Sequence, residues 1–338
     1  MEGRCPVCRS KSFVTVAPEA RIAQEIRLRS KFVLRRMHYK PKPTEVKDLL
    51  DFMHDKPAPI AKCSGCGLLI RHENAVANGD DYEEDPNDFD LMRHVYPRYL
   101  EAFQLHERAY RPLLRPHAEV VELGFHLGAF LQAAEEWNWR PTGFDVGEDT
   151  TVFARGLGLN VRRRFIEDVS LGSSVLDAVF IWNCFEQLPE PRPLLANVHK
   201  ALRRSGLLII RVPSGAAYQK LHVSNGAHRK VLAYNNLLGF PYLYGYSDHT
   251  LHRLLTSTGF APHARFGSEL VTMPFPDLPS KLEQEQKAVS AFTQAANGGI
   301  DAPWIELVYR KATARDALDA SRKPLVTTES AIFIPRAG

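Results

Sequence analysis

The stretch that decides the fold is Glu119-Val120-Val121-Glu122-Leu123-Gly124-Phe125-His126-Leu127-Gly128-Ala129-Phe130-Leu131. Val120, Val121 and Leu123 make a near-continuous apolar run, the mark of a parallel strand covered on both faces. Gly124 and Gly128 then punctuate the chain. Leu127, Phe130, Leu131 and Ala134 recur at helical spacing as an apolar stripe. A glycine turn between strand and helix lets a ligand approach the backbone where no Cβ stands in the way. It also aims the free N–H groups of a helix N-terminus at that ligand.

A second strand follows, from Pro141 to Asp145. Asp145 stands about 20 residues beyond Gly124, where an acid ending the second strand accepts hydrogen bonds from ribose hydroxyls. A phosphate loop would want all three glycines of G-x-G-x-x-G. Here Glu122 precedes the first glycine and His126 occupies an intervening position. An acid repels phosphate but pairs with an ammonium group. The pattern favours a nucleoside with a cationic amino-acid tail over a dinucleotide, and S-adenosylmethionine is such a molecule.

Glu122-x-Gly124-x-x-x-Gly128, Asp145, Glu167-Asp168 and Asp177-Ala178-Val179-Phe180 resemble, in order and spacing, the motifs of class I S-adenosylmethionine-dependent methyltransferases. The resemblance runs from His117 to Arg310. It implies a Rossmann-like α/β fold with a mostly parallel seven-stranded sheet and helices on both faces. It further implies that Glu122, Gly124, His126 and Gly128 surround the methionine part of the cofactor. Asp145, followed by Val146, would hold the ribose, and Glu167 or Asp168 the adenine amino group. Asn183 and Phe185, after the fourth strand, would shape the cofactor and acceptor pockets.

Two departures from the family pattern matter. His126 stands where many relatives have a second glycine, so its side chain must turn from the methionine tail. Gln187 replaces a histidine common in small-molecule methyltransferases, which removes a general base or metal ligand. Methyl transfer is an in-line displacement with a neutral leaving group, so the protein mainly orients and desolvates. A base is needed only if the acceptor atom carries a proton, and Glu186 is the nearest candidate. His222, His228 and His249 read as surface or core residues. Tyr242, Tyr244 and Tyr246 form a period-two row suited to an aromatic pocket or one face of a strand.

At 338 residues the chain holds one large domain or two modest ones. Its balance of 44% hydrophobic and 24% charged residues is that of an ordinary soluble protein. No apolar run is long enough for a bilayer and no secretory signal opens the chain, so the cytoplasm is expected. A net charge of +4 does not by itself argue for nucleic acid.

Cys5-Pro6-Val7-Cys8 and Cys63-Ser64-Gly65-Cys66 are paired knuckles, the Cys₄ pattern of a structural Zn²⁺ site. Positions 9–62 exceed the usual spacing, so a helical insertion is expected there. Glu19 to Met37 reads as a basic helix and Glu45 to His54 as a second. The basic face suits nucleic acid or an acidic partner, and a solvated surface is the plainer reading. An acidic stretch at 80–88, with Tyr82 as a cofactor contact implied by the resemblance, precedes a helix from Leu91 to Leu114. Cys184 reads as inert packing.

The expected layout is a zinc-ribbon-like domain at 1–78, a connecting loop and helix at 79–116, the methyltransferase domain at 117–311 and a tail at 312–338. The expected function is methylation of a small molecule, such as a sugar or secondary metabolite. RNA or protein methylation and a catalytically silent scaffold are the alternatives. Nothing in the sequence bears on oligomeric state.

Overall fold

The computed structural model describes residues 4–25, 57–71, 89–216, 218–219, 242–266, 304–313 and 316. The basic helix beyond residue 25, the helix at 45–54, Tyr82 with its acidic stretch, and His222 and His228 lie outside these residues. The chain opens with β1 (Phe13–Ala17), β2 (Ile60–Cys63) and β3 (Leu69–Arg71), paired antiparallel in that order. Helix α1 (Phe89–Leu105), a short α2 (Glu107–Tyr110) and a 3₁₀ turn at Arg111–Leu113 follow. The sequence predicts one continuous helix from Leu91 to Leu114. The chain breaks it near His106, whose ring Nδ1 lies 2.6 Å from the Ala102 carbonyl oxygen. Pro112, in the first positions of the 3₁₀ turn, brings no backbone donor of its own.

Strand and helix then alternate. They run β4 (Glu119–Leu123), α3 (Ala129–Glu136), β5 (Arg140–Asp145), α4 (Glu148–Gly156), β6 (Val161–Arg163) and β7 (Leu176–Trp182). After these come α5 (Pro191–Ala201), β8 (Leu202–Pro213), β9 (Tyr244–Gly245), α6 (Asp248–Thr256), β10 (Phe260–Phe266) and β11 (Trp304–Lys311). Seven strands form one sheet in the order β10-β11-β8-β7-β4-β5-β6. It is parallel from β6 to β8, and β11 runs antiparallel to both of its neighbours. Strand β4 lies inside this sheet with both faces covered. Val121 and Leu123 enter one core; Val120 enters the other with Phe130, Trp137, Phe180 and Trp182. That two-sided burial is why β4 reads as an unbroken apolar run.

The sequence predicts a helix to Arg204, closed by Gly206, and a strand from Leu207. The helix stops at Ala201 and β8 begins at once. Its pairing with β7 is irregular, Leu176 facing Leu202 but Ala178 facing Leu207. Between these, Arg203 turns to an ion pair with Asp177, and Ser205 takes a left-handed φ of 62°. Helix α6 starts as predicted at Ser247, in a reciprocal capping box with Thr250.

The N-terminal strands are completed by the segment after β8. Strand β9 pairs with β3, Ile70 facing Tyr244 and Leu69 facing Gly245. The Arg71 amide donates to the Leu243 carbonyl at 2.8 Å. Arg192, at the start of α5, donates to the carbonyls of Pro6 at 2.6 Å and Val7 at 2.8 Å. One buried cluster accordingly holds Cys5, Val7, Cys63 and Leu68 together with Leu195, Tyr244 and Leu251. Among the described residues, no helix is long and apolar enough to cross a membrane.

Candidate active site

A cavity of about 550 Å³ opens beyond the carboxyl ends of β4, β5, β7 and β8, with α1 across it. Such crevices are where open α/β sheets bind ligands. Of the residues singled out from sequence, Glu122, Gly124, His126, Asp145, Val146, Glu167 and Asn183 line it. Gly128, Asp168, Phe185 and Glu186 are outside the lining.

Glu122, next to last in β4, has 3% of its surface exposed, and its Oε2 has no hydrogen-bond partner. Burial pushes its pKa well above the carboxylate range, and the charge of Asp145 adds to this. Asp145 binds two turns at once. Its Oδ2 accepts the His126 N–H at 2.8 Å and its Oδ1 the Gly147 N–H at 3.0 Å. Burial raises its pKa, and these backbone donors act against the rise. His126 is an exposed residue at the cavity; desolvation at the cavity wall lowers its pKa, and the neighbouring charge of Asp145 acts against the fall. The ring stands edge-on to Tyr99, with centroids 5.6 Å apart. His126 and Asn183 both hold left-handed backbone, φ 48° and 55°. Non-glycine residues in that region cost energy and concentrate at functional sites.

Gly124 has φ 79°, and a Cβ there would come within 2.6 Å of Cys184 Sγ. The Cys184 thiol donates to the Leu123 carbonyl at 3.0 Å and lines the cavity, so it packs the turn from inside. Gly124→Ala should therefore cost about 2–4 kcal/mol, combining left-handed strain with a clash. Gly156→Ala, where a Cβ would meet nothing within 4 Å, is the control. Equal stabilities of the two variants in urea melts would refute this account. Gly128 also needs its left-handed φ of 80°, but its Cβ would strike Leu159 at 2.6 Å, a packing constraint away from the cavity.

Of the Glu167-Asp168 pair, Glu167 reaches the cavity and Asp168 is exposed outside it. Glu186 is fully buried, and neither carboxylate oxygen has a hydrogen-bond partner. Burial pushes its pKa to about 8, opposed by the positive charge of Arg211. Phe185 is buried against Tyr246, ring centroids 5.5 Å apart. Tyr244 and Tyr246 are core, and only Tyr242 of the tyrosine row lines the cavity.

The four knuckle sulfurs lie within 4.8 Å of one another, with Cys5–Cys66 and Cys8–Cys63 each at 3.5 Å. A tetrahedral Zn²⁺ with bonds of about 2.3 Å sets its sulfurs about 3.8 Å apart, so the donor set fits this ion.

A family model described as a methyltransferase domain matches residues 92–264, just over half of the chain. The chain belongs to this methyltransferase family. The methyltransferase is similar to a chain in the complex of the Haloferax volcanii Trm112 methyltransferase activator with a methyltransferase. Their identity is 14% and TM-score 0.50, over 67% of this chain and 99% of that one. That likeness speaks to the fold alone. A SAM-dependent methyltransferase from Archaeoglobus fulgidus is 19% identical over 67% of this chain and 100% of that one, TM-score 0.45. An S-adenosylmethionine-dependent methyltransferase from Mesorhizobium loti is 16% identical over 61% and 97%, TM-score 0.43. No curated protein matches the sequence.

Sequence reasoning missed several cavity residues of this methyltransferase. Tyr99 and Phe103, on α1, gave no local signal, because a helix interior shows only its stripe. Phe165 stands two residues before Glu167 and is 38% exposed, which is unusual for so large an apolar side chain. Arg211 did leave a trace, as a lone cation inside the apolar run Leu207 to Val212.

Proposed function

We propose that this methyltransferase transfers the methyl group of S-adenosylmethionine to a small molecule held in the same cavity. The observation that carries the reading is the buried Glu122 carboxylate, its Oε2 without a hydrogen-bond partner, at the wall of the cavity. A buried acid without a partner is costly unless a ligand supplies the counter-charge. The cofactor's ammonium is that counter-charge. Asp145 retains lone pairs for the ribose hydroxyls beside its two backbone donors. Glu167 and Phe165 would meet the adenine, and Val146 and Asn183 complete the wall. When bound, the cofactor supplies an electrophilic methyl on a sulfonium. The chain's own part is to orient the acceptor and exclude water. Glu186 lies behind the wall, so we assign it to the surroundings of Arg211 rather than to proton transfer.

The cavity volume falls within the range of small-molecule sites, about 300–1,000 Å³. The N-terminal module supports the same reading. Its sheet is spent on β9, which argues for a structural role over an RNA or protein dock. We place a structural Zn²⁺ at Cys5, Cys8, Cys63 and Cys66.

Glu122→Gln tests the cofactor reading. The folded chain raises the pKa of Glu122 above its ordinary value of about 4.3. Stability from this group is thus full below that value and lost as pH rises through the raised one. The ligand-free glutamine variant should melt higher than the parent at pH 7.5. It should nonetheless bind S-adenosylhomocysteine about tenfold more weakly or worse, having lost a charge-assisted hydrogen bond. An analogue lacking the amino group should not distinguish the two proteins. Unchanged affinity for S-adenosylhomocysteine would remove Glu122 as the ammonium partner.

A further inference from the structure

Both cysteine knuckles are tied to one loop, the stretch between β7 and α5. Its residues Gln187, Leu188 and Pro189 line the cavity. The Glu186 carbonyl accepts the Leu243 N–H at 2.9 Å, and the Tyr244 hydroxyl donates to the Pro189 carbonyl at 2.9 Å. Tyr244 belongs to β9, the partner of β3, and β3 follows the Cys63–Cys66 knuckle. Arg192 holds the far end of the loop to the other knuckle. Its Nε donates to the Pro6 carbonyl at 2.6 Å, and its Nη2 to the Val7 carbonyl at 2.8 Å and the Ser257 hydroxyl at 3.1 Å. Pro6 and Val7 are the two residues between Cys5 and Cys8, and the N–H groups of Val7 and Cys8 donate to the Cys5 sulfur. A peptide unit is planar, with its C=O and N–H opposed. Each of these two peptide units therefore has the sulfur on one side and the same guanidinium on the other.

The hydrogen bonds of Arg192 go to neutral oxygens only, in a partly buried place. A cation there needs a counter-charge. Four thiolates around Zn²⁺ carry two net negative charges and would supply it. The path from Arg192 to the cavity is also stiff. Pro189 and Pro191 fix φ on either side of Glu190 and restrict the residues before them, so a shift of Arg192 reaches Leu188 with little slack. The cofactor reading fills the end formed by the turns after β4, β5 and β6. In the sheet these strands all lie to one side of β7, which leaves Gln187, Leu188, Pro189 and Tyr242 at the other end.

We propose that Arg192 is a positioning residue: it locks the Cys5–Cys8 knuckle to the loop after β7, so that the metal-loaded module holds the acceptor end of the cavity in shape. This gives the module a part in the reaction without contact to either ligand. It rests on the cofactor reading only for which end of the cavity receives the acceptor.

The test uses the full chain loaded with Zn²⁺ and free of other ligands, its leucine and isoleucine methyl groups labelled for NMR. Leu188 reports on the loop and Ile166 on the cofactor end of the same cavity. Leu188→Met and Ile166→Val identify their signals. Arg192→Gln should move or broaden the Leu188 methyl signals, leave those of Ile166 in place and keep S-adenosylhomocysteine affinity. It should also weaken Zn²⁺ about tenfold in chelator competition, as for other residues that support metal ligands. Arg192→Lys keeps the charge and loses the planar fork, so it should retain Zn²⁺ better but move Leu188 as well. A loss of overall stability alone would lower the melting temperature and leave the native Leu188 signals where they are. The unaltered chain loaded with Cd²⁺, a larger thiophilic ion, makes the same comparison if the variants do not fold: Leu188 should move and Ile166 should not. Unmoved Leu188 signals in a folded, zinc-loaded Arg192→Gln chain, or equal changes at Leu188 and Ile166, would overturn the proposal. So would a chain that takes up neither metal. Failure of S-adenosylhomocysteine to bind the parent chain would instead overturn the cofactor reading, while the ligand-free comparison would still judge Arg192.

Discussion

Asp145→Ala is expected to lose cofactor affinity and folded stability together. The carboxylate accepts the N–H of His126 from the first turn and that of Gly147 from the second. It thereby clamps the loop after β4 to the loop after β5. Alanine leaves two backbone donors to water or to nothing. At about 1–2 kcal/mol for each such bond, the ligand-free chain should lose about 2–4 kcal/mol in urea melts. Affinity for S-adenosylhomocysteine should fall by more than the loss of the ribose contact alone, because the turn that carries His126 also loosens. Asp145→Asn keeps one oxygen acceptor and should sit between the two. A variant as stable as the parent but unable to bind would make Asp145 a ligand only. One unchanged in both respects would dismiss it from the site.

Removing the Zn²⁺ proposed at the Cys₄ set is expected to do the most damage to the structure. In small zinc modules the binding free energy, about 10–16 kcal/mol, is folding free energy. Here Cys63 ends β2, β2 pairs with β3, and β3 pairs with β9 on the cavity side of the chain. Arg71 also donates through Nη1 to the Tyr242 carbonyl at 3.1 Å, and Tyr242 lines the cavity. Cys63→Ser, or exhaustive chelation, should abolish the bound zinc and lower the melting temperature. Hydrogen exchange at the Arg71 amide, now held by Leu243, should lose protection. Exchange at Gly124, whose amide donates to the Phe144 carbonyl at 2.7 Å where β4 and β5 end, should change little. A metal-free chain with an unchanged melting temperature and unchanged exchange at Arg71 would make the cysteines incidental.

The parts of this molecule that were legible in its sequence are those fixed by neighbours along the chain. The apolar run of β4, the glycine turn at Gly124 and the Ser247 cap each follow from a few consecutive residues. The knuckles were equally plain, since two cysteines at that spacing have few other uses. What escaped notice depends on distant partners. Asp177 pulls Arg203 out of the helix, so α5 ends early and β8 bulges. Strand β9 has two residues and no pattern of its own, and it exists because β3 offers an open edge. Gly128 reads as a ligand-approach glycine in a motif, and the fold adds demands of its own there, a left-handed φ and the nearness of Leu159. Glu186 sits after a strand where a base is expected, but the short turn Phe185–Gln187 buries it behind the wall.

The central claim is that the cavity between Glu122 and Asp145 binds S-adenosylmethionine. Calorimetric titration of the purified full-length chain with S-adenosylmethionine, S-adenosylhomocysteine and NAD addresses it most directly. The account predicts a single saturable site for the first two, an observed enthalpy that changes with buffer ionisation as Glu122 gives up its proton to meet the ammonium, and no binding of NAD. Binding of NAD in preference to S-adenosylhomocysteine, or no binding of either adenosyl ligand by a folded, zinc-loaded chain, would contradict it.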